Sequence, residues 1–316
     1  MSGKGDAGGE GERASAVRVS AVISSWNKKE DLRQNLEAIR KQTRPFDEVV
    51  LVDNRSTDGS IEMVRGQYPF VKLIVMPHSN YGACETFNIG FACAAGELVA
   101  ILDDDVVLPP TWVATMMAKM EEEDETTAIL SSKVVEPGMP DEFKNHPEVN
   151  SERYMSTFRG CASMARSHLL EKAGYYDERF FIYGNERDLA ARIFNLGCRI
   201  KQVPSPEVLH KTPFGMKMGK RSLYFHVRNL WWYLFKHCSV GSILVFFWRQ
   251  VTSPLRKERD LPTDSVGAIG GLKNITQTPW GLFVALKATL AAFAGLPRCL
   301  RQRRVCKAPD FRLPGE

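Results

Sequence analysis

Apolar and polar positions alternate along the first half of the chain in two rhythms. Short, nearly continuous apolar runs are separated by stretches with helical spacing, which is how a βαβ array reads. The pattern predicts a strand over Val17 to Ser25. A helix over Glu30 to Lys41 follows, with Leu32, Leu36 and Ile39 on one face. Glu48 to Val52 is apolar throughout after its first residue, as in a strand covered on both faces. Asp58-Gly59-Ser60 turns the chain into a second helix, with Asp58 or Ser60 as its cap. Val71 to Met76 is a third strand, and a helix carrying Phe87, Ile89 and Phe91 comes next. Leu98 to Leu102 is a fourth strand, running directly into Asp103-Asp104-Asp105. Pro109-Pro110-Thr111 opens another helix.

From Ser131 to Thr157 the pattern dissolves into Pro, Gly and charge, which predicts a long loop. Helices are expected over Ser167 to Lys172 and Asn185 to Leu196, with a short strand at Arg199 to Val203. The last third changes character. Tyr224 to His237 contains Trp231, Trp232, Tyr233 and Phe235; Ser239 to Trp248 and Trp280 to Leu296 are further apolar runs. Each falls short of the roughly 20 apolar residues that a membrane span requires. Arg298, Arg301, Arg303, Arg304 and Lys307 lie beside them. Such a segment suits peripheral contact with a membrane interface, and equally an internal helical subdomain or a homodimer face.

A chain of 316 residues has room for a large core, and its 44% hydrophobic and 25% charged composition is that of a globular protein. The net charge of +5 is too small to argue for nucleic acid, so none is expected as a partner. The seven cysteines are scattered without C-x-x-C spacing, against a zinc site or a disulfide framework. Met1 to about Ala16, Gly-rich and polar, reads as a flexible leader rather than a signal peptide. A cytoplasmic location is expected, with the inner face of a membrane as the alternative that the extension leaves open.

Three acidic residues ending a buried strand point to chemistry. In an open α/β sheet, ligands bind beyond the carboxyl ends of the strands. Packing three carboxylates there costs electrostatic energy unless a cation or hydrogen-bond donors compensate. Hard divalent ions such as Mg²⁺ or Mn²⁺ take one or two carboxylates and share phosphate oxygens.

The stretch Val19 to Lys28, with its Ser24-Ser25-Trp26-Asn27, resembles the opening of family 2 glycosyltransferases. Val52-Asp53-Asn54-Arg55-Ser56-Thr57-Asp58-Gly59 resembles their second-strand signature. Asn80-Tyr81-Gly82, Asn88-Ile89-Gly90, and Leu102 to Asp105 with Pro109 continue the likeness in order. The resemblance covers residues 17 to about 120 and extends more loosely to about 235. It implies an α/β GT-A fold, Rossmann-like and nucleotide-sugar-binding, with a helical C-terminal extension. The implied units are a leader (1–16), a catalytic domain (17–210) and the extension (211–316). Within the catalytic domain the donor half spans about 17–120 and the acceptor half about 121–210. By this likeness Ser24, Trp26, Asp53, Asn54, Asp103 and Asp104 contact the nucleotide, Asp104 at the ribose. Asp105 holds the metal, joined by His210.

Asn185-Glu186-Arg187-Asp188-Leu189 resembles the family's acidic acceptor-side region, with Glu186 where the catalytic Asp usually stands and Asn185 where the first Glu stands. The implied reaction is inverting transfer of a dTDP- or UDP-linked sugar to a hydroxyl, with Glu186 as general base. Glu186 as a helix cap, and Asp188 with Arg192 as an i,i+4 pair, are the structural alternatives. Arg228, in an Arg-Asn pair resembling one common in such transferases, and Asp188 are candidates for the acceptor or phosphate. Texture is closest to the rhamnosyltransferase-like branch. The acceptor is a glycan, a lipid-linked glycan or a small molecule. No Gly-rich loop follows the first strand, against a nucleotidyltransferase or a dinucleotide enzyme. A non-catalytic nucleotide-sugar-binding scaffold on the same fold is the rival reading.

Overall fold

A computed structural model describes residues 17–215, 217–256 and 274–314; the expected leader lies outside them. The first elements are β1 (Val19–Ser25), α1 (Lys29–Arg40), β2 (Glu48–Asp53), α2 (Ser60–Gln67), β3 (Val71–Val75), α3 (Ala83–Cys93) and β4 (Leu98–Asp103). Then come β5 (Val106–Val107), α4 (Trp112–Glu122), β6 (Thr127–Val135), α5 (Asp141–Lys144), β7 (Arg153–Tyr154), β8 (Ala162–Arg166) and α6 (Ser167–Ala173). The sheet closes with α7 (Asn185–Phe194) and β9 (Arg199–His210). Helices α8 (Lys220–His237), α9 (Val240–Arg256), α10 (Gly281–Ala294) and α11 (Leu296–Arg301) follow.

The strands form one sheet in the order β3-β2-β1-β4-β8-β6-β9-β5, with β7 on β9. β1 to β4 run parallel, whereas β8 lies antiparallel between β4 and β6. The continuous apolar runs of β1, β2 and β4 have the expected cause. Alternate residues feed two cores: Val22, Val50 and Ile101 face one, Ile23, Leu51 and Leu102 the other. Helix α3 packs close to β1 because Gly90 has no side chain; a Cβ there would sit 2.4 Å from Val22 Cγ1.

Where a loop is expected after Ser131, the structure continues β6 to Val135 and adds α5 and β7. The residues that disguise this strand, Ser131, Ser132 and Lys133, are buried but satisfied. Ser132 Oγ accepts from Trp112 Nε1 at 2.8 Å, Ser131 Oγ from the Arg159 amide at 2.9 Å, and Lys133 Nζ donates to Asn150 at 2.7 Å. The strand expected to end at Val203 runs to His210 through Pro204 and Pro206. The cap of α2 is neither Asp58 nor Ser60 but Gly59, at φ 86°, while Asp58 Oδ1 accepts from the Ser60 amide of the first turn at 3.1 Å. Among the described residues, no helix is long and apolar enough to cross a membrane.

Candidate active site

Register brings the site together. Ser25 pairs with Asp53 and Ser24 with Asp103, so β1, β2 and β4 end level at one edge of the sheet. Ser24 Oγ lies 2.7 Å from Thr86 Oγ1. Asp53 is buried, its carboxyl raised above the ordinary range by burial. Its Oδ1 accepts from the Ser56 amide at 2.7 Å, while Oδ2 has no hydrogen-bond partner. Asn54 donates to Tyr81 O at 2.9 Å and likewise keeps its Oδ1 unpartnered. Two buried side-chain oxygens on consecutive residues thus meet no donor of the described chain. Trp26 follows Ser25, the strand partner of Asp53, and stands 46% exposed, its amide directed at Asp104 Oδ2 (3.3 Å).

The three aspartates are not equivalent. Burial pushes Asp104 up to about 7 despite the Lys28 charge. Burial would raise Asp105 too, but His210 and Lys28 outweigh it and hold its carboxyl well below the carboxylate range. Lys28 Nζ lies 2.6 Å from Asp105 Oδ2 and 3.5 Å from Asp104 Oδ1. Thr212 Oγ1 donates to the same Asp105 Oδ2 at 2.8 Å. Strand β5 pairs with β9, placing Val106 opposite His210, and this pairing carries the imidazole to the cluster. His210 Nε2 is 3.2 Å from Asp105 Oδ1 and Nδ1 is 2.8 Å from Glu136 Oε1. Burial would lower this imidazole, but the hydrogen bonds to Asp105 and Glu136 push it up to about 10. Donor atoms of Asp103, Asp105 and His210 lie within 4.8 Å of one another, a candidate metal site. Two carboxylates and an imidazole suit a Mn²⁺- or Mg²⁺-type ion, and Asp105 Oδ1 faces the His210 imidazole across 3.2 Å. Loading the imidazole with a metal would displace its proton.

Glu186 lies in the first turn of α7. The loop before α7 is unusually shaped: Phe181 and Tyr183 sit at φ 67° and Gly184, the cap of α7, at φ 74°. Asn229 of α8, buried, holds this loop. Its Nδ2 lies within bonding distance of Phe180 O (3.0 Å), Ile182 O (2.8 Å) and Tyr183 O (2.8 Å). Glu186 Oε1 accepts from Asn185 Nδ2 at 3.0 Å and packs on Gly160, where a Cβ would lie 2.5 Å from that oxygen. The helix N-terminus favours its ionised form, yet burial outweighs this and raises the carboxyl above its ordinary value. Burial first, and then the Asp105 charge, push the Asp103 carboxyl up to about 6, with His210 opposing and Glu186 adding to the rise.

Two candidates fall elsewhere. Asp188 is fully buried and its carboxylate is committed to Lys236 (2.5 Å), His237 (2.9 Å) and Arg192 (3.0 Å). It ties α7 to α8 and offers nothing to an acceptor; the i,i+4 pairing with Arg192 is the part of the expectation that stands. Arg228 also faces inward. Its Nη2 donates to Arg179 O (2.8 Å) and Phe180 O (3.0 Å), its guanidinium lies 4.3 Å from the Trp232 ring centre, and it bonds Asn229 Oδ1. It supports the loop rather than reaching for phosphate. Lys28, Thr212, Glu136 and Gly160 go unassigned in the sequence reading. Only Lys28 carries a local signal, as the cation ending the first motif.

A Rossmann-like sheet with an acidic cluster at its carboxyl edge, an antiparallel acceptor half and trailing helices is the architecture of GT-A glycosyltransferases. The family model described as Glycosyl transferase family 2 matches residues 20–191, and the chain belongs to that family. Among its relatives, the amylovoran biosynthesis glycosyltransferase AmsE of Erwinia amylovora is 28% identical over 224 residues, covering 66% of this chain and 82% of that one. The uncharacterized glycosyltransferase YibD of Escherichia coli is 32% identical over 113 residues, covering 35% of this chain and 32% of its own length. The chain spans about a third of the length of several curated relatives it matches. Among solved structures, the mannosyltransferase PcManGT of Pyrobaculum calidifontis, in complex with GDP-Man and Mn²⁺, superposes with a TM-score of 0.54 at 22% identity. That match covers 88% of this chain and 75% of the other.

Proposed function

We propose that this chain transfers a sugar from a nucleotide diphosphate donor to an acceptor hydroxyl, with inversion at the anomeric carbon. The observation that carries the reading is the cluster of Asp103, Asp105 and His210 at the carboxyl edge of the sheet, with donor atoms within 4.8 Å of one another. Exposed Trp26 is placed to stack on a base. The unpartnered oxygens of Asp53 and Asn54 suit the N–H of a pyrimidine, which favours a UDP- or dTDP-linked sugar, including the dTDP-linked donor of a rhamnosyltransferase-like enzyme. Asp104, beside them, is the ribose contact.

Asp105, with His210 and Asp103, would hold Mg²⁺ or Mn²⁺. The ion, when bound, neutralises charge developing on the departing diphosphate. PcManGT, solved with Mn²⁺ and a nucleotide sugar, supports this assignment. Lys28 supplies a fixed positive charge at the same carboxylates. Glu186 takes the proton of the acceptor hydroxyl as its oxygen bonds to the anomeric carbon and the diphosphate oxygen leaves. A carboxyl raised by burial is a better base than an ordinary glutamate.

The test is thermal stability against nucleotide diphosphates and nucleotide sugars, with and without Mn²⁺ or Mg²⁺. UDP or dTDP should raise the melting temperature only with metal, and Asp105→Ala should abolish that rise. Stabilisation that ignores metal, or survives Asp105→Ala, removes Asp105 from the metal site. No response to any nucleotide leaves the family standing and the proposed reaction without support.

A further inference from the structure

Helices α9 and α10 carry an apolar stripe each that no part of the described chain covers. On α10, Leu282, Leu286 and Leu290 recur at four-residue spacing and are 78%, 56% and 63% exposed. On α9, Val240, Leu244 and Trp248 repeat the spacing and are exposed to a similar degree. Both helices pack on the same residue of α8: the Trp231 ring lies 4.9 Å from Phe247 of α9 and 5.3 Å from Phe293 of α10. The two helices therefore flank one ring of α8, and their exposed stripes exceed the scattered apolar exposure of an ordinary surface.

Charge says what covers them. Helices α8 to α11 contain lysines and arginines but no Asp or Glu. A groove of about 540 Å³ opens between the first turns of α8 and α10. Exposed Lys220, Arg221 and Lys287 rim it, and Phe225, Trp280 and Phe283 line it. A second copy of this chain would bring cations against cations. An anionic bilayer supplies both hydrocarbon for the stripes and negative charge for the rim.

We propose that this face docks the protein on the surface of an anionic lipid bilayer. Docking there would hold the acceptor half at the membrane, because Phe225 of the groove stacks on Phe181 of the Glu186 loop at 5.1 Å. An acceptor carried on a lipid is the substrate class that this placement serves. That last consequence rests on the proposed transfer reaction; the docking itself does not.

Co-sedimentation of the full chain with vesicles tests it. Vesicles of equal parts phosphatidylcholine and phosphatidylglycerol should bind on the order of tenfold more protein than phosphatidylcholine alone, and high salt should erase the difference. Replacing Leu282, Leu286 and Leu290 together by Ser should cut binding by roughly tenfold or more, with the melting temperature held because these side chains already face water. Lys220→Glu with Lys287→Glu, a pair of exposed surface changes, should remove the preference for anionic vesicles even if the leucine variant folds poorly. Binding to neither vesicle overturns the proposal, as does binding indifferent to both sets of changes. A dimer in sedimentation that the leucine variant dissociates, without vesicle binding, would assign the face to a second copy instead.

Discussion

Replacing Asn229 by Ala isolates how the base is positioned. The side-chain amide divides two hydrogens among the carbonyls of Phe180, Ile182 and Tyr183, at 2.8–3.0 Å, in a buried setting. Two buried hydrogen bonds at about 1 kcal/mol each, with a share for carbonyls left unsatisfied, give a loss of about 2–3 kcal/mol. For a chain of 316 residues that is a fall in melting temperature of roughly 3–5 °C. The kinetic effect should exceed what stability alone explains. The released loop holds two non-glycine residues at positive φ and leads directly into Glu186. A displacement on the order of 1 Å at a reacting group costs about a hundredfold in rate. The assay is steady-state transfer, or slow metal-dependent hydrolysis of the donor identified by thermal shift. The expected split is kcat down by about 10- to 100-fold with donor affinity unchanged, since Asn229 touches nothing on the donor side. Asn229→Asp, which keeps the oxygen for Arg228 but turns a second oxygen on the carbonyls, should be at least as damaging. Unchanged kcat in a variant that has lost the predicted stability would refute the positioning role. A rise in donor KM with kcat intact would move Asn229 to the donor site.

Glu186→Gln should preserve metal-dependent donor binding and lower turnover by about two orders of magnitude or more; normal turnover would remove Glu186 as the base. Because the base works ionised and burial raises its carboxyl, kcat should fall as pH drops, with a midpoint above the roughly 4.3 of free glutamate. A midpoint at or below that value would contradict the buried setting. Gly160→Ala places a methyl 2.5 Å from Glu186 Oε1. It should therefore depress kcat tenfold or more, on the order of a small misplacement of the base, while donor affinity holds. Asp188→Asn leaves Lys236 and Arg192 short of their counter-charge and should destabilise by about 3–5 kcal/mol. Burial would raise Asp188, but Arg192, His237 and Lys236 hold it well below the carboxylate range. Its contribution is therefore full above the unfolded value of about 3.9 and fades as pH falls below it. Urea unfolding at neutral and acid pH should show the variant's deficit shrinking in acid.

What the sequence discloses, and what it hides, divides along the sheet. The parallel strands are legible because both faces are buried, so their apolar runs are unbroken, and the acidic cluster is legible because it ends one of them. The antiparallel half is not. β6 hides Ser131, Ser132 and Lys133 behind partners found only in the fold, and β8 is five residues of mostly small or polar type, Ala162 to Arg166. Roles that depend on three-dimensional neighbours go astray for the same reason. Asp188 and Arg228 have the residue types of an acceptor site, and only packing shows that both face inward. The motif Asn80-Tyr81-Gly82 makes the point from the other side. In the sequence it is a piece of family pattern without a chemical role. In the structure Tyr81 O accepts from Asn54, and Phe181 O sits where a Gly82 Cβ would be, 2.5 Å away, while accepting from the Cys84 amide at 3.3 Å. A glycine about a hundred residues before the base loop is therefore the surface on which that loop rests. Donor pocket and base loop meet at Gly82, so a side chain there would disturb both at once.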